Sequence, residues 1–300
     1  MKKIKIPVIL DTDIGFDIDD TWALGLLLKC PELDVKLITT TSGNTLIKTK
    51  QVAKFLENAD RTDIPIGIGP KNGNDEEPLY DWVKDYNLSD YPGVIHEDGI
   101  EIISDMLQNS LEPTTLIAIG PLGNIAKALR LNQKIMEKTR FIGMQGSIYK
   151  GYMGDPNPAV EYNVSSDIQA CREVFQASWE KTITPLDTCG NIMLSGERFK
   201  RILDCSNPIV DSIKECYELW AQKSDRLYLI TKKQTSTILF DTVAVYLAFS
   251  EELLNIENLK IEVNKSGRTL ISEKGSNIRC ATSWKNVQDF KDLIVDRLTS

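Results

Sequence analysis

The sequence predicts an α/β protein: an open, mostly parallel sheet with helices on both faces. Three observations lead there. Short apolar runs rich in β-branched residues alternate along the chain with stretches of helical length. Those runs are apolar on both sides, as strands covered on both faces must be. The strand–helix–strand order repeats without a tract of hairpins, and such an order lays helices over both faces of one sheet.

The elements follow in order. Residues 6–10 (IPVIL) are a first buried strand, and 21–30 (TWALGLLLKC) have helical length and enough apolar content to be largely buried. The next strand is 34–42 (DVKLITTTS), followed by a helix-like 45–59. Two short strands, 64–69 and 114–120, each stop at glycine, and 123–132 returns as a helix. Runs at 139–146 and 181–187 continue the alternation. Residues 188–235 are mainly helical and polar, with aromatics at Tyr217, Trp220 and Tyr228. They read as a helical subdomain or active-site flap within one domain spanning 1–300, and their aromatics either pack helices or offer a surface to a ligand.

Composition limits what such a fold can do. The chain has 300 residues with 42% hydrophobic content, enough for one large core or two smaller ones. A net charge of −8 argues against nucleic acid, which needs a basic face. No apolar run is long enough to span a bilayer, so no membrane partner is expected. The lysines at the N-terminus precede only a short apolar run that ends in acids, unlike a signal peptide. Six scattered cysteines without a CxxC pair suggest reduced, buried thiols and a cytoplasmic location. With one histidine in the chain, His96, a zinc site is not expected.

The informative stretch is VILDTDIGFDIDD, residues 8–20. It puts Asp11, Asp13, Asp17, Asp19 and Asp20 within ten positions, directly after the first strand. Ligands in open α/β sheets sit outside the carboxyl ends of the strands. Acids in the first turn of a helix are favoured by its dipole, which explains Asp19 or Asp20 taken singly. It does not explain Asp11 and Asp13. Two carboxylates about 4 Å apart repel by about 4 kcal/mol at an effective dielectric of 20, so the group needs a cation or retained protons. Oxygen donors without His or Cys point to Ca²⁺ or Mg²⁺. An EF-hand fails, because its fifth position is Gly15 and its twelfth Trp22.

Two families place D-x-D after a first strand. Haloacid-dehalogenase-type phosphatases use D-x-D-x-[TV], but Gly15 stands at the Thr/Val position and no late Gly-Asp acidic pair is evident. DTDIGFDIDDTWAL more closely resembles the N-terminal D-x-D-x-G-x-D-D-x-x-A signature of the inosine/uridine-preferring nucleoside hydrolases, with two residues inserted. Five further landmarks resemble that family in its order: TTTSGN (39–44), IAIGPLGNIAKAL (117–129), FIGMQGS with PNPAVEYN (141–147 and 156–163), PLD (185–187) and LFDTVAVYLA (239–248).

The resemblance implies a Rossmann-like nucleoside hydrolase fold and an enzyme, an N-ribosyl hydrolase that splits ribonucleosides into ribose and free base, as in purine salvage. It implies Ca²⁺ held by Asp13, Asp20, Asp241 and the Ile119 backbone carbonyl, with Asp13 as general base. It places Asn44, Met144, Glu161, Asn163 and Asp19 on the ribose, Asp11 behind the ligands, and a homodimer or homotetramer as the assembly. Asp17 remains an alternative to Asp19, since the insertion allows two registers. The chief departure is at Phe240, where many members carry a histidine that protonates the leaving base. His96 resembles the family's first loop histidine near the base. Phe240 resembles the purine-preferring branch, in which an aromatic stacks on the base. A non-catalytic nucleoside or ribose sensor on the same scaffold, and the phosphatase, are the alternatives that remain.

Overall fold

The computed structural model describes residues 4–73 and 77–300. Ten strands form one sheet in the order β4-β3-β2-β1-β5-β6-β7-β10-β8-β9. They are β1 (Ile6–Thr12), β2 (Leu33–Thr40), β3 (Ile66–Ile68), β4 (Ile95–His96), β5 (Thr114–Ala118), β6 (Thr139–Met144), β7 (Glu180–Thr184), β8 (Leu254–Val263), β9 (Thr269–Ile271) and β10 (Ser276–Trp284). From β4 to β10 across the sheet the pairings are parallel; among the described strands, β10–β8 and β8–β9 run antiparallel.

Period-two alternation sends β1 into two cores at once. Val8 and Leu10 join a cluster with the helices Asp19–Leu28, Pro208–Lys223, Thr242–Leu247 and Val287–Thr299. Ile9 points the other way, into a cluster with Gly99–Asn109, Gly123–Leu131 and Ile168–Gln176. This is why the strands read as unbroken apolar runs. The chain leaves β1 towards β2, β3 and β4, then returns to the far side of β1 with β5. That reversal opens a crevice at the carboxyl ends of β1 and β5, where such sheets take their ligands.

The two antiparallel pairings are the part the sequence reading lacked. Strand β8 is half-exposed along most of its length, so it carries no two-sided apolar run to announce it. The helical region after residue 188 shares its core with β1: Phe199, Ile202, Ile213, Tyr217 and Trp220 all sit in the first cluster. No described helix is long and apolar enough to cross a membrane.

Candidate functional site

The acid-rich stretch ends β1, turns, and enters the helix Asp19–Leu28. Gly15 makes the turn possible with φ +106°, and its missing side chain lets the chain pass against Gln51, whose Oε1 would lie 2.1 Å from a Cβ. Thr12 organises the turn from inside: its hydroxyl donates to Asp20 Oδ1 and accepts from the Ile14 amide at 3.1 Å.

Asp19, Asp20 and Asp241 converge, each offering an oxygen within 4.8 Å of the others, and all three are buried. Asp241 arrives from the other end of the chain, immediately before the helix Thr242–Leu247. Burial first, and then the neighbouring acids, raise all three carboxyls well above their ordinary range. Asp19 and Asp241 also share a hydrogen bond, which two carboxyl groups make only with a proton between them. A donor set made only of buried carboxylate oxygens fits a hard divalent cation such as Ca²⁺ or Mg²⁺.

Asp13 stands beside this triad and adds to the charge that Asp20 feels. Its carboxylate lies against Gly120, just beyond β5, where a Cβ would meet Asp13 Oδ1 at 2.7 Å. Ile119 lines the same cavity, and its carbonyl accepts from Asn163 Nδ2 at 2.9 Å. Asn163 also donates to the Met144 carbonyl at 3.1 Å, so one amide ties the ends of β5 and β6 together. Glu161 caps the short helix Tyr162–Ser166, accepting from the amides of Asn163, Val164 and Gly146 at 2.7–3.0 Å. Its burial outweighs those three donors and pushes it up to about 7.

These groups line a cavity of about 490 Å³ that holds Asp13, Asp17, Asp19, Asp20, Ile119, Met144, Glu161, Asn163, Phe240 and Asp241. Asp11 lies beneath it, fully buried, accepting from Thr39 at 2.6 Å and Asn124 at 2.9 Å. Burial pushes Asp11 up to about 7 against both hydrogen bonds. Asp19, not Asp17, lies with Asp20 and Asp241. Asp17 accepts from the Ile18 amide at 2.7 Å and faces the charge of Arg226.

Two expected residues stay off the cavity wall. Asn44 is half-buried at the start of the helix Thr45–Asn58, and its side chain makes no capping hydrogen bond. His96 lies in edge strand β4, paired with Gly67 of β3. Among the three aromatics proposed from the helical region, Tyr217 and Trp220 are buried helix-packing residues, and Tyr228 alone reaches the cavity.

The sequence reading missed much of the rim. Phe16 stacks on Tyr162 with centroids 5.4 Å apart, and Tyr152 meets Phe240 edge-on at 5.9 Å. Arg226 joins them from the segment after Pro208–Lys223. An exposed Phe inside an acidic turn was the one available signal.

The family model for inosine-uridine preferring nucleoside hydrolases matches residues 8–292. Over 205 residues the chain is 32% identical to the non-specific ribonucleoside hydrolase RihC of Klebsiella pneumoniae, covering 65% of this chain and 66% of that one. It is 30% identical over 236 residues to the pyrimidine-specific ribonucleoside hydrolase RihA of an Enterobacter species, covering 72% and 71%. These matched stretches span about two thirds of the curated relatives' length. The solved structure of a plant nucleoside hydrolase matches in fold with a TM-score of 0.83 at 22% identity, over 99% of this chain and 100% of that one.

Proposed function

This chain belongs to the inosine-uridine preferring nucleoside hydrolase family, and on that premise we propose that it cleaves the N-glycosidic bond of ribonucleosides in a Ca²⁺-dependent reaction, with purines favoured. The observation that carries the reading is the buried triad Asp19, Asp20 and Asp241, opening beside Asp13 into a cavity of nucleoside size. Asp20, Asp241, Asp13 and the Ile119 carbonyl would hold the cation, with Asp19 shared between cation and sugar. When bound, the cation supplies a Lewis acid for the ribose hydroxyls and the attacking water.

The chain's own residues do the rest. Asp13 takes the proton from the attacking water, a role worth roughly 10²–10⁴ in rate. The surrounding carboxylates favour the positive charge that grows on the ribose as the bond to the base breaks. Asn163, Glu161 and Met144 form the wall against which the sugar is oriented, while Asn44 lies off that wall. Asp11 fixes Thr39 and Asn124 beneath the turn and so supports the ligands from behind. Phe240, with Tyr152 against it, offers a face for the base. Stacking of a purine there, with solvent protonating a ring nitrogen, stands in for the histidine that Phe240 replaces. His96 takes no part unless the β3–β4 region moves. Homodimeric or homotetrameric assembly and a cytoplasmic location complete the proposal.

A panel of inosine, adenosine, guanosine, uridine and cytidine with Ca²⁺ or Mg²⁺, followed by ribose and base release, tests it. Turnover of at least one nucleoside, abolished by Asp13→Ala and by Asp241→Ala, is expected. No turnover by the Ca²⁺-loaded protein overturns the hydrolytic reading in favour of a binding protein. Family membership already removes the phosphatase alternative.

A further inference from the structure

Behind the acidic turn lies a lysine that the proposed chemistry does not use. Lys48, on the helix Thr45–Asn58, is 2% exposed. Its ammonium donates to the Asp13 carbonyl at 2.6 Å and to the Ile14 carbonyl at 3.0 Å. Glu77 Oε2 stands 3.7 Å away, its side chain 4% exposed. Two of the lysine's three donors meet consecutive carbonyls of the turn, and the buried Glu77 carboxylate stands at ion-pair distance.

Fold stability alone does not call for this arrangement. Taking a lysine and a glutamate out of water costs several kcal/mol per ion, and well-packed apolar residues in place of such a pair often leave stability unchanged or raise it. What the pair holds is specific. Asp13 lies where regular hydrogen bonding ends, between the last residue of β1 and the positive-φ turn at Gly15. One turn further along the same helix, Gln51 presses on Gly15. The helix therefore supports the turn at three successive residues, and Lys48 fixes the first two.

We infer that Lys48 is a positioning residue, which fixes the backbone of Asp13 and, with Glu77, sets the charge balance behind the cation-binding acids. The inference rests on the hydrolytic reading for its rate effect, because Asp13 is the residue it aims. Its electrostatic half does not depend on turnover. Lys48 contributes positive charge beside the acids, and Glu77 partly cancels it. Removing the Glu77 charge should therefore weaken cation binding.

The test uses Lys48→Met and Glu77→Gln in the full chain, with Ca²⁺ affinity by calorimetry, melting temperature, and kcat and KM on whichever nucleoside the wild type turns over. In Lys48→Met, kcat is expected to fall at least 30-fold with KM within threefold. In Glu77→Gln, Ca²⁺ binds at least threefold more weakly and kcat falls less. A Lys48→Met protein with wild-type kcat, or in which KM alone changes, overturns the inference. If Lys48→Met fails to fold, Glu77→Gln decides: unchanged or tighter Ca²⁺ binding overturns it. If the wild type hydrolyses no nucleoside, the function fails separately, and the Glu77→Gln affinity shift still decides the electrostatic half.

Discussion

Asp241→Asn should make the cation-free protein more stable while removing its response to the cation. In the triad, oxygens lie within 4.8 Å of one another. At that separation two full charges repel by about 3.5 kcal/mol at an effective dielectric of 20. Two of the three pairs include Asp241, so full ionisation would cost the folded state about 7 kcal/mol through this residue. The protein has a cheaper escape. Holding one proton at about pH 7.5 on a group whose ordinary value is 3.8 costs about 5 kcal/mol at 1.36 kcal/mol per unit. The lower figure wins, so a shared proton is the expected state of the site without a cation. Asparagine keeps the shape, donates to Asp19 as the protonated acid does, and removes that cost. Relaxation and residual hydration take part of the gain, so a rise of about 2 kcal/mol, or roughly 4 °C in Tm, is the expected size. Melts of both proteins in chelator and in saturating Ca²⁺ measure it. The wild type should gain about 2.7 kcal/mol at a hundredfold excess over Kd, and the variant should gain little. A variant that melts below the wild type in chelator, or a wild type indifferent to Ca²⁺, would refute the reasoning.

Asp11 gives a pH signature. Its folded carboxyl is raised to about 7 from 3.8, so between those values the folded state binds the extra proton and stability falls as pH rises. In cation-free protein, denaturant titrations of Asp11→Asn should show that decline reduced by up to about 1.4 kcal/mol per pH unit across this window, and no difference in slope would discount Asp11. Gly120→Ala puts a methyl 2.7 Å from Asp13 Oδ1, with Thr41 Cγ2 at 2.9 Å on the other side. Displacing Asp13 by even part of an ångström should lower kcat by about 10²-fold with KM little changed, and wild-type steady-state kinetics in this variant would show that Asp13 is not the proton acceptor. Phe240→Ala removes the proposed stacking face, worth about 1–3 kcal/mol, and should raise KM for purine nucleosides at least about fivefold. Equal effects on purines and pyrimidines would discard the purine preference.

The parts of the molecule that could be read from sequence share one property: their signal lies within a few residues. The acid-rich turn announced itself because five carboxylates crowd ten positions, and β1, β2, β5 and β6 did so because both their faces are apolar. The half-exposed β8 and β10 lack that mark, since their polar outer face dilutes it. The choice between Asp17 and Asp19 needed the point at which the helix begins, which the two inserted residues obscure. Once Asp19 is its first residue, the pairing with Asp241 follows. Glu161 reads locally as a surface acid. Only the approach of Gly146 from β6 shows that it is buried and bonded to three amides. Tyr217 and Trp220 could not be told from Tyr228 by spacing, because what separates them is which side of a helix meets the core.

The span between Asp20 and Asp241 also orders events during synthesis. The first half of the triad leaves the ribosome about 220 residues before the second. At 5–20 residues per second that gap lasts roughly 10–45 s. Through that interval the nascent chain carries the crowded acids without their distant partner, and a cation gains little by visiting them. Tight capture begins only when the segment after β7 has folded back onto the first helix. A cation held as proposed would therefore not template the early chain, and its retention would mark a polypeptide in which the segments around Asp20 and Asp241 have already met.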